Sequence, residues 1–145
     1  MYKHILIPTD GSERSARAVA VGVGLAAALK ARVTALMVIP PIPPVVLEGL
    51  PKPVHNEELE QSSKDYAVKC LAVASEAAAA AHVRCETVHV RDDRPWAAIV
   101  QIAEQKGCDL IVMASHGRAG VSAVVLGSET NKVLAHTKLP VLVCR

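Results

Sequence analysis

The sequence predicts a doubly wound α/β fold, a five-stranded parallel sheet of order 3-2-1-4-5 with helices on both faces. Two observations carry this. Short aliphatic runs alternate with segments of helical period along the 145 residues. Most of those runs are apolar on both faces, as strands buried between two helix layers are. With no Phe, one Trp and two Tyr, the core must be built from Val, Leu, Ile and Ala.

Ile5–Pro8 is the first strand, closed by Thr9-Asp10-Gly11-Ser12. Helical signals follow from Ser12 to Lys30, with apolar residues at 16, 19, 20, 23, 26 and 27 on one face. Gly22 and Gly24 weaken this helix by up to ~1 kcal/mol each relative to Ala, which suggests close helix packing. Val33–Ile39 is the second strand. Pro40-Pro41-Ile42-Pro43-Pro44, with Pro51 and Pro53 beyond, holds six of the nine prolines. Neither a helix nor a central strand tolerates that. The segment reads as a loop, either a lid over a site or a surface excursion.

From Glu57 to Ala81, apolar positions 59, 66, 70, 74, 77 and 81 mark a long amphipathic helix. Val83–Val90 is the third strand, and its Arg84, Glu86 and His89 suit a sheet edge. Pro95 opens the next helix; Ile99, Ile102 and Ala103 form its apolar face and Lys106-Gly107 its end. Asp109–Ala114 is the fourth strand. A Gly-bearing loop runs from Ser115 to Gly127, a short helix starts at Ser128, and Leu139–Cys144 is the fifth strand. Pro140 places that strand at an edge. Val141, Leu142 and Val143 are nonetheless apolar on both faces, so a second copy paired across a two-fold axis would cover them economically. With right-handed crossovers, residues 1–145 form one Rossmann-like domain.

Composition narrows the function classes. The net charge is +2 with Lys and Arg dispersed, which gives no footprint for nucleic acid. Scarce aromatics remove the stacking platforms of single-strand binders. Cys70, Cys85, Cys108 and Cys144 form no CxxC pair and the six His show no ligand spacing. Free thiols in a reducing compartment are expected, without a structural zinc. The N-terminal apolar run is too short for a signal peptide, and no stretch approaches the ~20 apolar residues of a membrane helix. The cytoplasm is the expected location, with no membrane partner.

In doubly wound sheets ligands bind at the carboxyl ends of the strands, where the strand order reverses. That point lies between strands one and four. Strand one ends in Pro8-Thr9-Asp10, and strand four in Met113-Ala114-Ser115-His116-Gly117. Nine residues after Gly117 come Gly127-Ser128-Glu129-Thr130. Glycine lets backbone amides approach an anion, and a helix N-terminus favours negative charge. The loop suits a di- or triphosphate, although Gly-then-Ser is also what an ordinary helix cap looks like. There is no GxxxxGK-Ser/Thr and no GxGxxG after strand one, so neither a Walker loop nor a classical dinucleotide site is supported.

Together these residues resemble the universal stress protein family from end to end. The matching stretches are His4–Ser12, Asp109–Arg118, Leu126–Thr130 and Leu139–Val143. The resemblance implies an adenine-nucleotide site, for ATP or for ADP or AMP. The ATP-binding branch carries Gly, two residues, Gly, nine residues, Gly, then Ser or Thr. Gly117, Gly127 and Ser128 match its later positions. Asp10 matches an acidic residue near ribose and phosphates, where Mg can sit through the nucleotide, and Val38 matches the position whose backbone faces adenine. Two residues depart from the pattern. Ala114 stands where the branch has its first glycine, and Glu129 sits in the phosphate-facing helix start. That carboxylate either stabilises the helix N-terminus while pointing away, or repels phosphate.

The expected function is a stress-response regulatory protein that binds an adenine nucleotide and pairs as a homodimer. The alternative is a family member that binds no ATP and acts through contacts with a protein partner. A slow ATPase ranks last, because no nucleophile–base pair completes a catalytic constellation around Asp10. Among lesser candidates, His116 either bonds a phosphate or fills the loop, and Arg118 is either a phosphate counter-charge or a solvated cation. Asp92-Asp93-Arg94 reads as a charged turn before a helix. Trp96 is expected to be half-buried.

Overall fold

The computed structural model describes residues 1–52, 54–116 and 125–145. Nine elements alternate along these: β1 (His4–Pro8), α1 (Glu13–Leu29), β2 (Arg32–Ile39), α2 (Glu57–Ala80), β3 (Cys85–Arg91), α3 (Pro95–Gln105), β4 (Leu110–Ala114), α4 (Ser128–His136) and β5 (Val141–Cys144). All strand pairs are parallel, in the order β3-β2-β1-β4-β5. The expected topology is the observed one, and β3 and β5 are its edges. Pro140 stands just before β5, where it needs no amide partner, and its carbonyl accepts from Ile111 N at 3.0 Å.

Side chains alternate along each strand, so the sheet divides the core in two. Ile5, Ile7, Val33, Ala35, Met37 and Val112 pack against α1 and α2. Leu6, Leu36, Ile111 and Met113 pack against α3 and against Val133 of α4. All four cysteines are free thiols. Burial pushes the Cys108 thiol up to about 11, so it stays protonated and inert at neutral pH.

The helix faces differ in detail from expectation. In α1 the buried set is Ser15, Ala18, Val19, Gly22, Val23 and Ala26, while Ala16, Ala20 and Ala27 are exposed. The contact row includes Ser15 and Gly22, two residues an apolar count omits. In α2, Ala67, Leu71, Ala74 and Ala78 are buried, whereas Leu59 and Tyr66 are exposed. The buried row begins at Ala67, one turn past Ser63, whose Oγ accepts from Arg91 of β3.

Gly22 and Gly24 part company. A Cβ on Gly22 would lie 2.5 Å from Cδ1 of Ile7, whereas one on Gly24 would meet nothing within 4 Å. Gly22 therefore sets how closely α1 lies on β1, and Gly24 is a helical glycine without a packing role.

At the amino end of the sheet, the Asp109 carboxylate accepts the backbone N–H groups of Lys3 and His4 at 2.8 and 3.0 Å. This locks the starts of β1 and β4 together. The His4 ring is 5% exposed, with Nε2 2.8 Å from Thr34 Oγ1 and Nδ1 without a partner. Burial, assisted by the Arg32 charge, holds its pKa below the usual 6.5, against the opposing pull of Asp109 and Glu86.

Two expectations follow from this packing. Gly24→Ala should raise the melting temperature, by about 0.5–1 kcal/mol of helix propensity. Gly22→Ala should lower it, because overpacking at about 1–3 kcal/mol outweighs that gain. Equal effects in thermal unfolding would contradict the assignment. For His4, the unfolded chain takes the proton first, so the stabilisation is complete above pH ~6.5 and is lost as pH falls below it. The melting temperature of His4→Gln should therefore vary less between about pH 6.5 and 5 than that of the natural chain.

Candidate functional site

The crevice is a consequence of register. β1 pairs with β4 only at Ile5↔Leu110 and Leu6↔Ile111. β1 ends opposite Leu36, while β2 continues beside β3 to Ile39, and β4 continues beside β5 to Ala114. The carboxyl ends of β2 and β4 thus project past the end of β1, at the point where strand order reverses.

The turn after β1 is built by its own side chains. Thr9 N donates to Leu36 O at 2.8 Å, which ties the turn to β2. Ser12 N donates to Asp10 Oδ1 at 2.9 Å, an Asx turn that aligns the carboxylate. Ser12 Oγ caps α1 by accepting from Ser15 N at 3.2 Å. The Ser15 hydroxyl donates back to Ser12 O at 2.9 Å and meets Thr9 Oγ1 at 3.0 Å. Gly11 has φ +81°, a left-handed conformation that a side chain would strain. Sequence reasoning started the helix at Ser12 but did not identify Ser15 as the residue that closes this network.

Across the crevice, the first turn of α4 is held against the end of β4. Gly127 N donates to Ser115 O at 2.8 Å. The Thr130 hydroxyl, 2% exposed, donates between Ala114 O at 3.0 Å and Ser115 O at 3.1 Å. Gly127 has ordinary dihedrals, φ −62° and ψ 156°, so its value lies in closeness. A Cβ there would sit 3.0 Å from Ser115 O and 3.4 Å from His116 Cα. Gly127 supplies no side-chain cap, so the leading amides of α4 are left to other acceptors. His116 is buried, with Nδ1 3.2 Å from Ser115 Oγ, which favours the loop-filling alternative.

Pro8, Thr9 and Asp10 thus lie on the β1 side of the crevice, and Met113, Ala114, His116, Gly127, Ser128, Glu129 and Thr130 on the β4–α4 side. Val38 pairs with Val90 beyond the end of β1, and it packs against the core cluster on the α3–α4 face that includes Met113. Gly117 and Arg118 lie outside the described residues. Among the described residues, no group of three or more His, Cys, Asp or Glu could hold a metal ion.

Glu129 is resolved by its partners. Its Oε2 accepts the backbone N–H of Trp96 at 2.8 Å, and Oε1 lies 3.6 Å from Lys132 Nζ. The carboxylate is turned onto α3, whose own N-cap residue, Arg94, makes no side-chain cap. Glu129 of α4 supplies that missing acceptor, favourably placed toward the helix N-terminus. Trp96 is half-buried as expected, and its ring stacks on His136 with centroids 4.3 Å apart. The sequence gives no signal for either contact, because both join residues far apart in the chain. Glu129→Ala should lower stability by about 1 kcal/mol, the worth of a helix cap. Glu129→Gln, which keeps an acceptor oxygen, should lose less. Denaturant titration followed by Trp96 fluorescence distinguishes them, and indistinguishable variants would contradict the capping role.

The fold and these motifs recur in known proteins. The family model described as the universal stress protein family matches residues 1–145. A universal stress protein of Thermus aquaticus is 34% identical over 145 residues, covering all of both chains. One from Methanocaldococcus jannaschii is 33% identical over 145 residues, covering all of this chain and 83% of the relative. A crystal structure of a universal stress protein in complex with cAMP superposes with a TM-score of 0.73 at 25% identity, covering 99% of this chain and 97% of the other. With the topology, the crevice and the whole-length match in agreement, the chain belongs to the universal stress protein family.

Proposed function

We propose that this chain is a stress-response regulatory protein that binds an adenine nucleotide in the crevice between β1 and β4. The observation that carries the reading is the close approach of α4 to the end of β4 at Gly127, an N-cap residue with no side chain to occupy the helix start. Such a helix start offers amides and a positive dipole end to an anion. The structure of a relative with cAMP supports an adenine ligand. The proposed ligand is ATP, or ADP or AMP.

In this reading the N–H groups of Ser128, Glu129 and Thr130, with the Ser128 hydroxyl, bind phosphate. Thr130 contributes by its amide, since its hydroxyl is committed to β4. The Glu129 carboxylate is engaged by Trp96 and Lys132, so only its amide addresses the ligand. Val38 and Met113 form the apolar wall for the base. Asp10, set by Ser12 N, lies toward the ribose and phosphates, and Mg enters only as a nucleotide-bound ion. The protein acts by binding, without catalysis, in the cytoplasm, where its four free thiols suit a reducing compartment.

Homodimerisation through β5 belongs to the same proposal. Leu142 on that edge is 40% exposed, and an open apolar edge strand calls for a cover. The same edge supports the second reading, a homodimer that works through a protein partner and binds no ATP.

Mg-ATP at about 100 times its Kd should add about 2.7 kcal/mol, or roughly 5–10 °C in melting temperature. Gly127→Val should abolish the shift while remaining folded, because its side chain would press on Ser115 O. No shift with ATP, ADP or AMP in the natural chain would contradict the nucleotide reading and favour the second one.

A further inference from the structure

Away from the crevice, the segment between β2 and α2 departs from the rest of the surface. Val45, Val46, Leu47, Leu50, Val54 and Leu59 are all exposed, Val46 to 77% and Leu50 to 52%. Single exposed aliphatics are ordinary, but a contiguous group marks an interaction site. The segment is also bridged across its described residues. Val45 and Val54 exchange both backbone hydrogen bonds, at 2.9 and 2.8 Å, and form a short antiparallel ribbon. At its base Arg91 donates to Pro40 O and to Ser63 Oγ, each at 3.0 Å. Pro40, Pro41, Pro43 and Pro44 restrict the backbone leading in, so little entropy remains to be lost on docking.

Beside the ribbon lies a cleft of about 410 Å³, with Val45, Leu47 and Val54 on its apolar side and His55, Glu57 and Glu58 on the start of α2. The charge here runs against the chain as a whole. Residues 45–60 hold four of the 14 carboxylates, Glu48, Glu57, Glu58 and Glu60, but one of the 16 Lys and Arg residues, Lys52. Glu60 is paired with His55 and Lys64. No ion pair among the described residues engages Glu48, Glu57 or Glu58.

We infer that this cleft docks a basic, aliphatic segment of another protein, with Leu, Ile or Val anchors against the ribbon and Lys or Arg against Glu57 and Glu58. Charge selects this occupant. A second copy placed across a two-fold axis would bring this net-acidic patch against a patch of the same sign, at a cost. Nucleic acid and anionic membranes carry the wrong sign for this rim. The inference stands apart from the nucleotide reading, since none of these residues lines the crevice.

The test uses the nucleotide-free chain of 145 residues and a fluorescein-labelled peptide of alternating leucine and lysine, followed by anisotropy. Saturable binding at one peptide per chain is expected. Leu47→Ser and Glu57→Gln/Glu58→Gln should each weaken it about tenfold or more, the scale of losing anchor residues. These side chains are exposed, so unchanged melting temperatures confirm that the variants are folded. A serine–lysine peptide should bind at least about ten times more weakly, because it lacks anchors. Absent binding, binding that neither variant alters, or binding that follows charge alone would overturn the inference. So would a dimer in sedimentation that Leu47→Ser dissolves, which would make a second copy the occupant.

Discussion

The arrangement of the crevice depends on how α4 is pinned to the end of β4. The Thr130 hydroxyl bridges the carbonyls of Ala114 and Ser115, and Gly127 N takes Ser115 O from the other side. Buried carbonyls past the end of a strand must find donors or cost free energy. Here the donors come from the next helix, so satisfying β4 and aiming α4 are one event. Gly127 makes the approach possible because any side chain would meet Ser115 O. The same geometry sets the direction of the first turn of α4 at the carboxyl end of β4.

The same economy recurs across the molecule, with one element repeatedly completing the ends of another. Glu129 of α4 accepts the Trp96 amide that α3 cannot cap for itself. Asp109 accepts the amides of Lys3 and His4 at the opposite end of the sheet. Arg91 of β3 satisfies Pro40 O as the chain leaves β2. A departure from the family pattern thereby acquires a physical account. Glu129 looks adverse beside phosphates when read as a charge, but its carboxylate is spent on a helix N-terminus.

Much of the fold is legible in the sequence because aliphatic runs and helical periods are local signals. Topology rules narrow the strand order without fixing it, since an order of 2-1-3-4-5 obeys them equally. The crevice residues can be named because the ends of β1 and β4 must meet where the order reverses. Other features escape for equally physical reasons. The buried face of α1 includes Ser15 and Gly22, which a hydrophobic count passes over. Gly22 and Gly24 are identical in sequence terms and differ only in what lies opposite. The Trp96–His136 stack and the Glu129 cap join α3 to α4 through side-chain directions that no periodicity encodes. Gly117 and Arg118 fall outside the described residues.

In the proposed nucleotide site the first turn of α4 is the anion-binding end. This assignment is tested most directly by amide chemical shifts of the isotopically labelled chain during titration with Mg-ATP. Saturable shifts are expected, concentrated at Ser128, Glu129 and Thr130, with Asp10 and Val38 responding at the same ligand concentration. Unmoved α4 amides at saturating nucleotide, or shifts confined to another face of the molecule, would contradict it.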